Sequence, residues 1–488
     1  MGFKTDTSFL RFLSMGALGV RQTMKQLAGM GFVPIELERY CASNKIWMTK
    51  VKRLRLPDVL CVRTGLRVEI RAKSDLKIRM SDAPANPDRT WDAGLRDDDV
   101  VALIAIAERA EGQQRPADEA VFFGVKALRD SVAQSKLGPP KSASEGAERD
   151  RTWPSITPSC DGTVDSVTAD KLVVTMKTDA GATRKQTYTL NGKHTYVKPG
   201  DAFKAEVSIL AGSPDKLAKL SSFLAKTYDP IADLKSENPV DRYAGVKSLP
   251  RREDLRTQAV PALEALVRTE KEERVSLEAA GASAALGSAL GQEQIGKVVW
   301  GEGRQLLRME AVLILTELAS PFARAELIRI AGEQKFAGDE IRQAAVWGLG
   351  KAGVKAYEQI PAFIADKDEN LALHAIVAFG QDTPENVVRA LIADLVSADP
   401  TRAPAASEAL RLIASETVVK CLIEAAAGGH DWVIATLGRL PPNLVKPALA
   451  GSDLLKKLAP MLLLSEGAGW LASEDRVMDI AFLTKQNL

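Results

Sequence analysis

Asp58, directly after Pro57 at the head of one apolar run, and Glu69, eleven residues on inside the next, are two carboxylates spaced for metal chemistry. The Thr64-Gly65 turn between the runs predicts that they pair as adjacent strands. Alternation then sets Glu69, Arg71 and Lys73 on one face of the second strand, with Val68 and Ile70 on the other. Two carboxylates on neighbouring strands share a hard cation through oxygen, with the Ile70 carbonyl as a third ligand. Mg2+, or Mn2+ in its place, would activate water and neutralise charge on a phosphodiester. Lys73 is the candidate to position or deprotonate that water, because nearby positive charge lowers an ammonium pKa. Arg71 stays charged at every accessible pH, so its expected role is bidentate contact with the scissile phosphate. A competing expectation stands beside this one: an Asp at a strand start and a Glu among arginines also make ordinary surface ion pairs.

The same stretch is locally basic. Lys45, Lys50, Lys52, Arg53, Arg55, Arg63, Arg67, Arg71, Lys73, Lys77 and Arg79 stand against Asp58, Glu69 and Asp75, a local excess of eight positive charges. With Trp47 interleaved, this is the footprint of a phosphate backbone, and DNA is the expected partner; the alternative is a solvated basic face. The loop that follows carries Asp82, Asp88, Asp92, Asp97, Asp98 and Asp99. These are expected to pair with the basic stretch, to cap a following helix through Asp98, or to add a second metal contact at Asp92.

The elements that would position these groups follow from periodicity. Apolar spacing from Phe9 to Leu27 predicts a helix over Ser8 to Met30, ended by Gly29 and Gly31. Strands are expected over Val33 to Tyr40, Pro57 to Arg63 and Leu66 to Ala72, then a helix from Asp98 to Ala110 and a strand from Ala120 to Lys126. In this order, and in the Pro57-Asp58 and Glu69-x-Arg71 motifs, residues 5 to 135 resemble the PD-(D/E)xK nuclease superfamily. The resemblance implies a magnesium-dependent DNA endonuclease or nickase, a hydrolase with Asp58 and Glu69 as metal ligands, of the kind that serves bacterial DNA processing or defence. The chain departs from that pattern by carrying Arg71 where such enzymes have lysine, with Lys73 two residues on. The departure leaves a second expectation open, a catalytically inactive nuclease-fold scaffold that binds DNA or protein.

Beyond the head, residues 135 to 158 are rich in Pro, Ser, Gly and charge and read as a linker. Residues 159 to 213 alternate as strands, including Leu172 to Met176 and Gln186 to Leu190, with turn formers at Asn191-Gly192 and Pro199-Gly200-Asp201. The Asp161-Gly162 opening and the Gly200-Asp201 close resemble sandwich-barrel hybrid domains. Lys193 lacks the setting of a cofactor-bearing lysine, so the resemblance implies a spacer or docking barrel. From residue 214 to 488 helices recur at steps of 30 to 36 residues, with Arg274, Arg308 and Arg342 opening successive segments and small residues such as Ala311 and Ala345 on the face that abuts a neighbour. Helix pairs of this kind stack into a solenoid. They resemble HEAT repeats, which implies a docking surface for a protein partner; the shared arginines are expected to pair with neighbouring repeats.

The expected fold class is therefore multidomain: an α/β head, a small β-barrel and an all-α array. With 65 Lys and Arg against 63 Asp and Glu, the chain is neither a globally basic coat nor an acidic tail-bearer. Cys41, Cys61, Cys160 and Cys421 form no CxxC pair, and only His194, His374 and His430 add imidazole, so neither a zinc site nor a disulfide framework is expected and a reducing cytoplasm fits. The run from Phe9 to Val20 is broken by Arg11 and reads as a helix rather than a signal peptide, and no apolar stretch is long enough to predict a membrane span.

Overall fold

The computed structural model describes residues 7–37, 47, 54–86, 89–108, 114–139, 147–178, 181–336, 338–351, 353–397 and 399–467. The chain divides into two units. One comprises Arg11–Arg39 and Arg53–Arg256; the other runs from Thr257 and includes Trp47. Among the described residues no helix is long and apolar enough to cross a membrane.

The first unit is α/β. Helix α1 (Thr7–Gly29) precedes strands β1 (Pro34–Glu36), β2 (Val59–Cys61), β3 (Arg67–Lys73), β4 (Arg79–Asp82), β5 (Val100–Glu108), β6 (Gln114–Pro116) and β7 (Val121–Gly124). The main sheet runs β1-β2-β3-β5-β6, with β7 also on β5. β1, β2 and β3 form an antiparallel meander, and β5 lies parallel to β3 with Glu69 beside Val101. Gly19 lets α1 lie close on this sheet, since a Cβ there would stand 2.8 Å from that of Ala72. Gln26 then brackets the start of β7, accepting from the Ala120 N–H at 2.8 Å and donating to its carbonyl at 3.3 Å.

Two head elements depart from expectation. The helix expected from Asp98 to Ala110 is replaced, over the described residues 98–108, mainly by β5, and every residue from Val100 to Ile106 is buried. A strand covered on both faces has no polar alternation to reveal it, and a continuous apolar run does not tell strand from buried helix. The strand expected over Ala120 to Lys126 stops at Gly124, where α2 (Val125–Asp130) begins. The β3 to β5 crossover consequently carries no α-helix among its described residues, only β4 and loops.

Much of the described part of residues 135 to 158, expected as a linker, is strand. β8 (Gln134–Gly138) and β9 (Glu148–Thr152) form an antiparallel sheet with β4 in the order β4-β9-β8. The charges that gave this stretch its solvated look are matched across the sheet, Arg149 and Arg151 both meeting Asp82. β10 (Ser155–Ile156), β11 (Gly162–Val167), β12 (Lys171–Lys177), β13 (Thr183–Thr189), β14 (His194–Thr195), β15 (Ala202–Phe203) and β16 (Ala211–Gly212) follow as two small sheets, β13-β12-β11-β15 and β10-β16-β14. One apolar cluster, with Val164, Leu172, Val174, Met176, Phe203 and Leu210 at its centre, joins them. The Asn191-Gly192 turn is present with both residues at positive φ, yet it links strands of different sheets rather than a hairpin. The unit closes with α3 (Pro230–Asp233) and α4 (Pro239–Ser248); Tyr228 and Ala244 pack on Leu37 of the β1–β2 connection and Leu60 of β2.

The second unit is all-helical: α5 (Arg256–Thr269), α6 (Glu273–Ala285), α7 (Ala289–Trp300), α8 (Gln305–Glu317), α9 (Pro321–Gly332), α10 (Glu340–Gly348), α11 (Glu369–Val377), α12 (Glu385–Leu395), α13 (Arg402–Ile413), α14 (Glu416–Ala426), α15 (Asp431–Gly438), α16 (Pro442–Ala448) and α17 (Asp453–Gly467). One row stacks α6, α8, α10, α11, α13, α15 and α17 in succession; α12, α14 and α16 form a second row against it. Small residues set the stacking distance. A Cβ at Gly281 of α6 would meet Ile314 of α8 at 2.7 Å, and one at Gly348 of α10 would meet Thr316 at 2.5 Å. The arginines that open successive segments pair with neighbours, Arg274 with Glu310 and Arg342 with both Asp366 and the Ala331 carbonyl.

Trp47 belongs to this unit. Its ring stacks on His374 at 4.6 Å and meets Trp347 edge-on, leaving 2% of the residue exposed. It is core, not a platform for bases.

Candidate functional site

The β2–β3 register carries the site. Val59 pairs with Val68 and Leu60 with Arg67, so continuing the ladder sets Asp58 opposite Glu69 and Pro57 opposite Ile70. Gly65, at φ +70°, makes the turn between the strands. Proline has no N–H, so the strand position facing Ile70 offers its carbonyl no ladder donor. The Ile70 N–H is satisfied from another quarter: Asp58 Oδ2 accepts it at 2.7 Å, in a buried setting. The Asp58 carbonyl is held in turn by the Leu37 N–H at 3.0 Å. Pro57 and Asp58 together thus exchange a backbone pairing for a carboxylate at the end of β2.

On β3, Glu69, Arg71 and Lys73 are each partly buried, and Val68 and Ile70 on either side of Glu69 are buried. Arg71 Nη2 lies 2.9 Å from Glu69 Oε1, with side-chain exposures of 33% and 16%. The guanidinium also reaches the Trp91 carbonyl at 3.4 Å. The Lys73 ammonium forms no hydrogen bond or ion pair with another described residue. Burial, and after it the charges of Arg71 and Arg79, hold its ammonium pKa below the ordinary value. Glu69, Arg71 and Lys73 thus share one strand as a carboxylate, a cation paired with it, and a lysine whose pKa burial lowers.

The basic stretch is less free than its residue count suggests. Lys45, Lys50, Lys52 and Arg53 lie outside the described residues. Arg55 and Arg63 are exposed. Lys77 pairs with Asp75 at 3.2 Å, and Arg79 with Asp150 at 2.7 Å. Arg67 is 1% exposed and bonded to Asp241 of α4, with Asp233 at 3.8 Å. Carboxylates, two of them distant in sequence, neutralise cations that appeared to face phosphate.

The aspartate-rich loop also serves structure. Asp92 accepts from Arg129 Nε at 2.8 Å, which commits the residue expected to add a second metal contact. Asp98 pairs with Lys226 at 2.8 Å and caps no helix. Asp99, buried, takes the backbone N–H of Arg67 at 3.0 Å and of Arg96 at 2.7 Å. Burial raises its pKa, against the pull of Arg96 and Arg67. Arg67, Asp99, Arg96, Asp241 and Asp233 form a network that ties the start of β3 to α3 and α4. No sequence pattern announces it, because the Arg67–Asp241 pair closes over 174 residues.

Among the described residues no cluster of three or more His, Cys, Asp or Glu side chains is set to hold a metal ion. A candidate ion at β2–β3 would draw on two carboxylates and a backbone carbonyl, a donor set of hard oxygens suited to Mg2+ or Mn2+, which keep waters for the remaining positions. No family model matches the chain, and no curated protein matches it. Among solved structures, an engineered protein from a structural genomics consortium is similar at 18% identity with a TM-score of 0.23, over 49% of this chain and 78% of that one.

Proposed function

We propose that the first unit carries a metal-dependent phosphodiesterase for DNA, an endonuclease or nickase of PD-(D/E)xK type working in the cytoplasm in DNA processing or defence. The single observation behind this reading is the interruption of the ladder at Pro57. The β2–β3 register, extended by one position, would bring Asp58 opposite Glu69, and Pro57, lacking an N–H, offers the Ile70 carbonyl no ladder donor, while Asp58 Oδ2 accepts the Ile70 N–H. Asp58, Glu69 and the Ile70 carbonyl would hold Mg2+ or Mn2+, which when bound supplies a Lewis acid and an acidified water. Arg71 exchanges its bond to Glu69 for a phosphate oxygen and orients the diester bidentately. Lys73, with its weakened ammonium, accepts and returns a proton of the attacking water. The β11–β16 region acts as a spacer of sandwich-barrel-hybrid type, and the helical stack, read as HEAT repeats, docks a partner protein or holds duplex.

The second reading, a nuclease-fold scaffold without catalysis, is favoured by the Arg71–Glu69 contact, which already neutralises the carboxylate that an ion needs. Incubation of supercoiled plasmid with the full chain and Mg2+ or Mn2+ separates the two. Nicking by wild type that is lost in Asp58→Asn and Glu69→Gln supports the enzyme. Intact plasmid with both metals, together with a gel shift, supports the scaffold.

A further inference from the structure

β13 lies at one edge of the sheet β13-β12-β11-β15, with β12 as its one strand neighbour among the described residues. Each of its residues pairs in register with β12, from Lys177 opposite Thr183 to Lys171 opposite Thr189, with none of the irregularity that interrupts β11 and β12 between Val164 and Ser166. Bonds at both ends fix the phase of this ladder: the Thr178 N–H donates to the Ala182 carbonyl at 2.9 Å, and the Leu190 N–H to the Asp170 carbonyl at 2.8 Å. Hydrogen-bonded pairs alternate along an antiparallel ladder, so Arg184, Gln186 and Tyr188 bond to β12. Thr183, Lys185, Thr187 and Thr189 therefore turn their N–H and C=O groups away from the sheet. All four are exposed, and of these outward groups only the Thr187 carbonyl has a partner among the described residues, the Gln186 side-chain amide at 3.3 Å.

A regular, exposed edge of this kind is a template for another strand, and charge decides which strand fits. β12 and β13 carry Lys171, Lys177, Arg184 and Lys185 and no carboxylate. Among the described residues only Lys185 of these joins an ion pair, with Asp165 of β11 at 3.7 Å. Asp170, in the turn before β12, offsets one cation more, and the strand pair keeps a positive surplus. Lys171 and Lys177 stand opposite Thr189 and Thr183, whose short side chains let them lean towards the open side. A second copy of the chain would bring these cations against their own kind, the usual protection of an edge against self-pairing. An acidic strand meets attraction instead. On the opposite face Tyr188, packed on the apolar cluster of this region, offers an apolar flank.

We propose that β13 docks an extended acidic segment of a partner protein as a fifth strand of this sheet, its acidic residues beside Lys185 and within reach of Lys171 and Lys177, its alternate residues apolar and beside Tyr188. Backbone bonds to Thr183, Lys185, Thr187 and Thr189 hold the segment, and the cations select it. The docking needs neither metal nor DNA, so it stands or falls apart from the phosphodiesterase reading.

Fluorescence-polarisation titration of the full chain with a labelled peptide of alternating Glu and Val tests it. The peptide should bind saturably below about 1 mM, at least about tenfold tighter than the same peptide with Lys for Glu. Two further peptides, N-methylated at every Glu or at every Val, separate backbone pairing from charge alone: one should bind like the parent and the other about tenfold more weakly, because alternate residues of a strand face its neighbour. Thr187→Pro removes an outward N–H without touching the bonds to β12 and should weaken the parent peptide about tenfold. Lys185→Glu should do the same and favour the Lys peptide, with circular dichroism confirming the fold of both variants. No saturable binding to wild type, equal affinity for the Glu and Lys peptides, or equal affinity for the two N-methylated peptides overturns the proposal. So does a wild-type dimer in sedimentation analysis that Thr187→Pro dissociates, which would give the edge to a second copy.

Discussion

Arg71 and Glu69, two residues apart on β3, close a 2.9 Å ion pair on the face that also carries Lys73, so the carboxylate opposite Asp58 holds a cation from its own strand. That pair competes with a divalent ion for Glu69 while placing a guanidinium where a phosphate would approach.

Removal of Arg71 should therefore move two properties in opposite directions. In Arg71→Ala the Glu69 carboxylate loses this competing guanidinium, and affinity for Mn2+ should rise a few-fold, the order expected for a partly exposed ion pair. Plasmid nicking should fall, because the phosphate loses its fork. Calorimetry with Mn2+ and a nicking assay on the same preparation read both; a parallel fall in the two would mean that Arg71 supports the metal site rather than competing with it.

Asp58 should matter to stability as well as to chemistry. Its Oδ2 is the acceptor for the buried Ile70 N–H, and Asp58→Ala leaves that donor unsatisfied, at a cost of about 1–3 kcal/mol. Asp58→Asn keeps an acceptor and should cost about half as much. Urea unfolding followed by circular dichroism distinguishes them. Equal losses would mean that charge, rather than the hydrogen bond, is what the site needs.

Lys73 predicts a pH dependence with a definite sign. Its pKa in the folded protein lies below the ordinary 10.5, so the unfolded chain holds this proton more tightly. The resulting penalty is full below the folded-state pKa and is relieved as pH rises through that value towards 10.5. Lys73→Met should thus stabilise the protein at neutral pH and remove a rise in stability on the alkaline side. Unfolding midpoints of wild type and variant that run parallel between about pH 7 and pH 10 would show that the ammonium is not disfavoured by its surroundings.

Arg67 anchors the base of β3, and its loss should be severe. Arg67→Met takes the guanidinium from Asp241, which keeps only the Ser236 hydroxyl, and removes a donor to the Gly94 carbonyl. Breaking a buried pair from one side costs about 3–5 kcal/mol. Thermal unfolding checks it, and the double variant Arg67→Met with Asp241→Leu should recover part of the loss, since apolar replacement of both partners removes the uncompensated charge. A double variant no more stable than Arg67→Met alone would assign the effect to Gly94 and the backbone.

The sequence makes legible those elements whose signal is local. The α1 periodicity, the turn at Thr64-Gly65, the alternation of β3 and the β12–β13 pair are all present near their expected bounds. β5 was not legible as a strand because burial on both faces erases its period. β8 and β9 were not, because the charges of Arg149 and Arg151 find their partner at Asp82, far back in the chain. At the site, the pairing of β2 with β3 follows from spacing, while the loss of Arg67 from the basic surface depends on Asp241, a partner that sequence distance conceals. Trp47 shows the same limit: composition set it among cations, and tertiary packing seats it on His374.

Manganese binding followed by electron paramagnetic resonance tests the metal site most directly. Wild type should take up one Mn2+ per chain in addition to any ion bound elsewhere, and Asp58→Asn and Glu69→Gln should each lose that one ion while remaining folded by circular dichroism. Equal uptake by wild type and both variants, or none by wild type at millimolar Mn2+, would contradict a shared ion between β2 and β3.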